Sequence, residues 1–340
     1  MSANEATPTD PGRRRWRAFT YFLSAQRGVF LAIAIFALIF GAYGWKQEVG
    51  LTSNIINTAA NKGTLLALVA MAQTIPVITG GLDLSVGMVF LLTNCLASTL
   101  VTGDPLMTAI GVIVVLFAGL LCGTLNGLIV VYGRLQPIIV TLATSAIYFG
   151  IAVILRPQPG GTVNFALADI MTGSYYGVPA SIMVLVAAVL LVWIPYKRSV
   201  LGRAAFAIGS SEPAAFMSGV PIARAKILAY ALSGFFASIA GLMLTFLTYS
   251  GAAKVQIGND YTLNSIAAVV IGGTSLFGGA GGVIGSIFGA FVMRTVGDLL
   301  IVFDINPVLQ PLFVGVVLLL AVSIGSLRLL RIKNRVDLYR

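Results

Sequence analysis

Asp83 stands in the octet GGLDLSVG, residues 80–87, between two apolar runs of the chain. A carboxylate buried among apolar segments costs a few kcal/mol on insertion scales, about 3 kcal/mol, so it needs a purpose. It can line a polar path, or hold its loop by accepting hydrogen bonds from Ser85 and nearby backbone N–H groups. It can also cap the helix that starts near Val86. Amides and hydroxyls dot the neighbouring apolar runs: Gln73, Asn94, Asn126, Thr141, Thr144, Ser145, Asn264 and Ser265. Such groups suit a neutral hydroxylated solute, or they tie helices together at about 0.6 kcal/mol per bond. No histidine is present, which excludes a Ser–His dyad and an HExxH metal site. Cys95 and Cys122 lie inside apolar runs and read as small buried residues, not as a disulfide or metal pair. There is no GxxxxGK[ST] loop, so the chain carries no nucleotide site of that type. These residues describe a conduit for a polar molecule, not an enzyme.

A second octet, GGTSLFGG at 272–279, repeats the GGxxLxxG frame 192 residues further on. Gly80, Gly81 and Gly87 answer to Gly272, Gly273 and Gly279, and Leu84 answers to Leu276. Paired hydrophobic segments interrupted by glycine point to a transport pathway. The candidate pathway and gate are therefore Gly80, Gly81, Asp83, Ser85, Gly87, Gly272, Gly273, Thr274 and Ser275, with Gln73 and Asn126. The offset pairs roughly 20–148 with 212–340 as a weak internal repeat, leaving 150–211 between them. The small-residue runs 234–241 and 278–290 read as close helix packing. Neither follows a soluble strand, so neither fits a phosphate cradle.

The elements that must position these groups are membrane helices. The chain is 58% hydrophobic and 9% charged, too few charges for a water-facing surface. The expected fold is all-α and polytopic, a single transmembrane domain over 28–326 with about ten spans: 28–45, 63–79, 86–102, 106–132, 138–155, 179–195, 227–250, 261–273, 281–302 and 308–326. Segments 63–79 and 261–273 end on the glycine pairs, and both read as broken or re-entrant. The net charge of +10 does not indicate nucleic acid, because the basic residues flank apolar segments. With the N-terminus inside, the inner segments hold 16 of the 21 Lys/Arg, five of them within 196–226. This follows the positive-inside rule and leaves both termini, 1–27 and 327–340, as basic cytoplasmic tails, the first of them disordered. Arg294 and Asp298, four apart, pair on one helix face.

The inner loop 196–226 contains a compact helix signal. Ser210 or Ser211 caps it, Pro213 suits its first turn, Ala214 to Met217 form its body, and Gly219 ends it. It is a contact for a soluble partner or a plain loop held at the headgroups.

The strings VITGGLDLSVG (77–87), LQPIIVTLATSAIYFG (135–150), GRAAFAIGSSEPAAFMSGV (202–220) and VVIGGTSLFGGAGGVIG (269–285) resemble the membrane permeases of bacterial ABC sugar importers of the ribose, xylose and galactose type. The resemblance runs in order across most of 50–325. It implies a multi-pass protein of the inner membrane that dimerises with a second copy or a paralogue, surrounded by lipid. It also implies two cytoplasmic ATP-binding subunits, which hold the ATP and Mg, and a periplasmic sugar-binding protein. The permease itself then needs no cofactor. Glu212, Pro213, Ala214, Ala215, Ser218 and Gly219 fall on the family's ATPase-coupling pattern, although SSEPAA departs from the asparagine-containing string of many relatives. A permease for nucleosides or another small polar solute is the alternative within the wider family. An ion-coupled secondary transporter would want more intramembrane charges than Asp83.

Overall fold

A computed structural model describes residues 27–46, 50–316 and 319. The expected basic tails lie outside the described residues, apart from Arg27. Among the described residues, twelve complete helices are traced in chain order: α1 (Arg27–Lys46), α2 (Ser53–Ile78), α3 (Val86–Leu100), α4 (Pro105–Tyr132), α5 (Pro137–Leu155), α6 (Phe165–Thr172), α7 (Ala180–Arg198, with a π-helical turn at Val189–Trp193), α8 (Val200–Ser210), α9 (Glu212–Met217), α10 (Ile222–Thr248), α11 (Val255–Ile271) and α12 (Val283–Val302), and a further helical stretch begins at Gln310. A small hairpin, Ser174–Tyr175 with Val178–Pro179, sits between α6 and α7. Among the described residues, seven helices are long and apolar enough to cross a membrane: α1, α2, α4, α5, α7, α10 and α12. The expected last span, 308–326, is described only as far as Val316 and at Leu319.

Local signals set the helix starts. Thr52 accepts from the Ile55 N–H at the head of α2, and Asp104 accepts from Met107 at the head of α4, where Pro105 supplies the first turn. Burial then sorts the helices. Every residue of α2 from Ala60 to Ile78 except Lys62 is buried, whereas Ala32 is the one buried residue of α1 among those described. Helix α10 lies at the centre beside α2. It meets α4 closely enough that a Cβ on Gly123 or Gly234 would fall on the partner's backbone. Small residues that let helix backbones approach are the usual means of packing in lipid.

The loops gather at two ends. One end holds Lys46 over the Phe303 ring, the Gly160–Gly251 backbone pair, and Arg156 donating to Ser98. The other holds Gly28 beside Gly273, Leu84 N–H on Thr141, and Gly279 N–H on the Ile78 carbonyl.

Three expectations are corrected. The segment read as a half-span over 63–79 is one continuous helix of 26 residues, about 39 Å long. Its polar first turns masked it: Asn57 and Asn61 reach across to donate to the Thr172 carbonyl at 3.1 and 2.9 Å. The segment 261–273 begins earlier as well, at Val255, and runs 17 residues as a regular helix. Finally, the loop 196–226 is mostly helical, because α8 precedes the short helix that its sequence signals.

The repeat is looser than its sequence frame. Both α2 and α11 end in a Schellman cap, in which one residue takes positive φ and the next N–H returns to a carbonyl five residues back. In the first octet Gly80 has φ +80° and Gly81 N–H bonds Pro76. In the second, Gly273 has φ +79° and Thr274 N–H bonds Val269. The caps thus align Gly80 with Gly273, one residue off the GGxxLxxG frame. The likeness ends there: Gly87 is already inside α3, while Gly279 is still in loop with φ +72°.

Candidate functional site

Asp83 follows the α2 cap and is buried, with 1% of its surface exposed. Its Oδ1 accepts from the Ser85 N–H at 3.0 Å and the Ser85 hydroxyl at 2.6 Å, and its Oδ2 accepts from the Ser233 hydroxyl of α10 at 2.8 Å. Burial pushes this carboxyl above the ordinary carboxylate range, while the Ser85 and Ser233 hydrogen bonds pull it back. Ser85 Oγ in turn accepts from Asn126 Nδ2 of α4 at 2.8 Å, and Asn126 Oδ1 accepts from the Tyr148 hydroxyl of α5 at 3.1 Å. One buried network thus ties the loop between α2 and α3 to α4, α5 and α10. Asp83 shapes this loop. It does not cap α3, whose first N–H groups it leaves to other partners. Beyond the loop, Gly87 N–H donates to Thr262 of α11 at 3.1 Å, and a Cβ at Gly87 would fall on the Gly258 carbonyl.

The two octets meet. Gly279 N–H caps the Ile78 carbonyl at 3.0 Å, and a Cβ on Gly278 would lie 2.8 Å from the Gly80 nitrogen. Gly209, next to last in α8, packs into the same point: a Cβ there would collide with the Ile78 carbonyl and the Gly279 nitrogen. Three backbones touch with no side chain between them. The leading glycines of the second octet go elsewhere, Gly272 against Gly285 of α12 and Gly273 against Gly28 of α1. Thr274 Oγ1 accepts from Gly282 N–H at 3.1 Å, and Ser275 Oγ accepts from Phe277 N–H at 3.2 Å, so both hold the second loop's own shape. Gln73 is fully buried in α2, and neither end of its amide has a partner among the described residues.

Two residues past Gly209, Ser211 Oγ accepts from Ala214 N–H at 3.4 Å and starts α9 with Pro213 in its first turn. Gly219 at φ +72° ends it, with Val220 N–H returning to the Ala215 carbonyl. The helix signal in the sequence is therefore realised. Glu212 is held by Lys226 of α10, with both carboxylate oxygens 2.8 Å from Nζ. Ala215 is buried with Ala204, Ile208 and Ala225 and fastens α9 to α8 and α10. The outward face instead shows Phe216 at 74% and Met217 at 88% exposure, residues that the sequence reading left out of the coupling set. It also left out Gly209, Ser233, Tyr148 and Tyr230. Nothing local marks these, because their partners lie on other helices.

Comparison with known proteins agrees with this architecture. The family model described as branched-chain amino acid transport system / permease component matches residues 55–322. The ribose import permease protein of Bacillus subtilis (strain 168) is 33% identical over 79% of this chain and 82% of its own length. That of Haemophilus influenzae is 33% identical over 95% of this chain and 97% of its own length. The D-allose transport system permease protein of Escherichia coli (strain K12) is 29% identical over 88% and 91% respectively. No solved structure matches the chain. The chain is a multi-pass membrane protein and belongs to the family of branched-chain amino acid transport system permease components.

Proposed function

We propose that this chain is the permease subunit of an ATP-binding-cassette importer that passes a neutral sugar of pentose or hexose size. The observation that carries this reading is the match, over nearly the whole chain, to permeases named for ribose and D-allose import. In this reading the chain lies in the bacterial inner membrane with ten spans and both termini in the cytoplasm. It works with a second permease, two ATPase subunits and a periplasmic binding protein. Affinity for the sugar resides in the binding protein, so the permease needs only hydroxyl and amide contacts along its path. The helix α9 is the ATPase-coupling element, with Glu212, Pro213, Ala214, Ala215, Ser218 and Gly219 shaping it and Phe216 and Met217 inserting into the motor. The glycine loops around Gly80, Gly81, Asp83, Ser85, Gly87, Gly272, Gly273, Thr274 and Ser275, with Asn126 and Gln73, form the gate. Support for that division comes from Gly209, whose backbone sits against the last carbonyl of α2 and the end of the second octet just before α9 begins.

Reconstituted vesicles test the reading. Uptake of labelled sugar requires ATP, the ATPase subunit and the binding protein; uptake driven by a proton gradient without ATP overturns it. A paired variant, Phe216→Asp with Met217→Asp, tests the docking face. Exposed side chains contribute little to folding, within about 0.5 kcal/mol each, so the melting temperature stays near wild type. Truncating apolar anchors at an interface costs about 2 kcal/mol or more, so co-purification of the ATPase falls by about thirtyfold. Normal co-purification removes α9 as the dock.

A further inference from the structure

We propose that Tyr230 is a positioning residue that carries the movement of α9 to the first glycine loop. The inference rests on the importer reading above and adds a second route to the one through Gly209. Lys226, Tyr230 and Ser233 are spaced so that they share one face of α10. At the lower end Lys226 holds Glu212, the first residue of α9, through both carboxylate oxygens. At the upper end Ser233 donates to Asp83, inside the first octet. Between them Tyr230 is buried to 1% exposure, and its hydroxyl has no hydrogen-bond partner among the described residues. That hydroxyl occupies the space a Cβ would take at Gly81. Behind the ring, the Tyr230 backbone is braced against Gly123 of α4.

Each part of this stripe contributes differently. The Glu212–Lys226 pair is half exposed and on its own is a weak link, but it couples the first turn of α9 to the second turn of α10. Tyrosine is a stiff rod with few rotatable bonds, and it bears directly on the backbone of Gly81 where any larger residue would be struck. A buried hydroxyl without a partner is costly to keep. It is retained because the loop 79–85 supplies an acceptor once α10 and the loop shift relative to each other. Tyr230 thus holds the loop in this state and bonds it in the other. Gly81 is a glycine to make room for that rod: its φ is not positive, so no backbone constraint requires one there.

The test uses the complete complex of permease, ATPase subunit and binding protein in vesicles. Tyr230→Phe removes only an unpartnered hydroxyl, so its melting temperature is equal to or above wild type. Sugar moved per ATP hydrolysed nevertheless falls by about tenfold, the effect of one hydrogen bond missing from one state. A merely structural tyrosine would lose stability, ATPase and uptake together, and that result overturns the proposal. Gly81→Ala stalls uptake because its methyl meets the hydroxyl. The double variant Gly81→Ala with Tyr230→Phe recovers uptake to the level of Tyr230→Phe alone. A double variant no better than Gly81→Ala, or a Tyr230→Phe complex with an unchanged sugar-to-ATP ratio, also overturns it. Failure of the wild-type complex to take up sugar with ATP removes the importer reading instead, so the two failures are distinct.

Discussion

Gly209→Val abolishes ATP-driven uptake. The new Cβ is directed at two backbone atoms, the Ile78 carbonyl oxygen and the Gly279 nitrogen, which already hydrogen-bond each other at 3.0 Å. Backbone cannot rotate aside as a side chain does, so α8 must move away from the end of α2 and the second octet or the hydrogen bond must break. Overpacking costs about 1–3 kcal/mol, and the broken bond adds about 1 kcal/mol. Much of that penalty falls on the joint between α9 and the gate, so uptake drops to background while the rest of the helical fold persists. Gly209→Ala gives a milder form of the same defect. Gly150→Val serves as the control, since nothing lies within 4 Å of a Cβ at Gly150, and it transports normally. Uptake rates and thermal melting of the three variants decide the matter; a Gly209→Val protein that transports at the wild-type rate shows that the three-backbone contact is incidental.

Asp83→Leu produces a protein that does not accumulate in the membrane. Leucine fills a similar volume but accepts nothing, which strands the Ser85 N–H, the Ser85 hydroxyl and the Ser233 hydroxyl in a buried site. A buried donor left unsatisfied costs about 1–3 kcal/mol. Three of them threaten a typical margin of about 5–15 kcal/mol. Asp83→Asn keeps one acceptor oxygen and loses the other, so it lowers the melting temperature by an intermediate amount. Ser233→Ala, which leaves Asp83 two of its three donors, has the smallest effect. Expression level and melting of the detergent-solubilised series give the ranking. Equal melting of all three would mean that water or lipid headgroups, not these serines, satisfy the carboxylate.

Local signals were legible residue by residue. The cap at Ser211, the proline at 213 and the glycine at 219 each act on their own turn, and the helix they define appears as Glu212–Met217. Asp83 and Ser85 are two residues apart, so their hydrogen bond also follows from chain proximity. Arg294 and Asp298 pair at 3.0 Å for the same reason. Hydropathy failed where polar residues find distant partners: Asn57 and Asn61 made the first half of α2 look like loop, because Thr172, which pairs with them, is over 100 residues away. The glycine frame was visible, but its backbone register was not. A Schellman cap demands a single positive-φ residue, and a GG pair lets either glycine supply it.

By itself the sequence determined that this chain lives in lipid, the approximate place of most of its long apolar helices, and that Asp83 needs hydrogen-bond donors. Those properties depend on the water-to-lipid transfer of short segments and on contacts a few residues apart. Only the tertiary structure decided that the end of the second octet, not its leading glycines, meets the first, that Gly209 packs where the second octet meets the end of α2, and that one face of α10 connects Glu212 to Asp83. Such contacts join residues far apart in the chain. They exist only once whole helices have packed, and close packing is set by the shapes of both surfaces together.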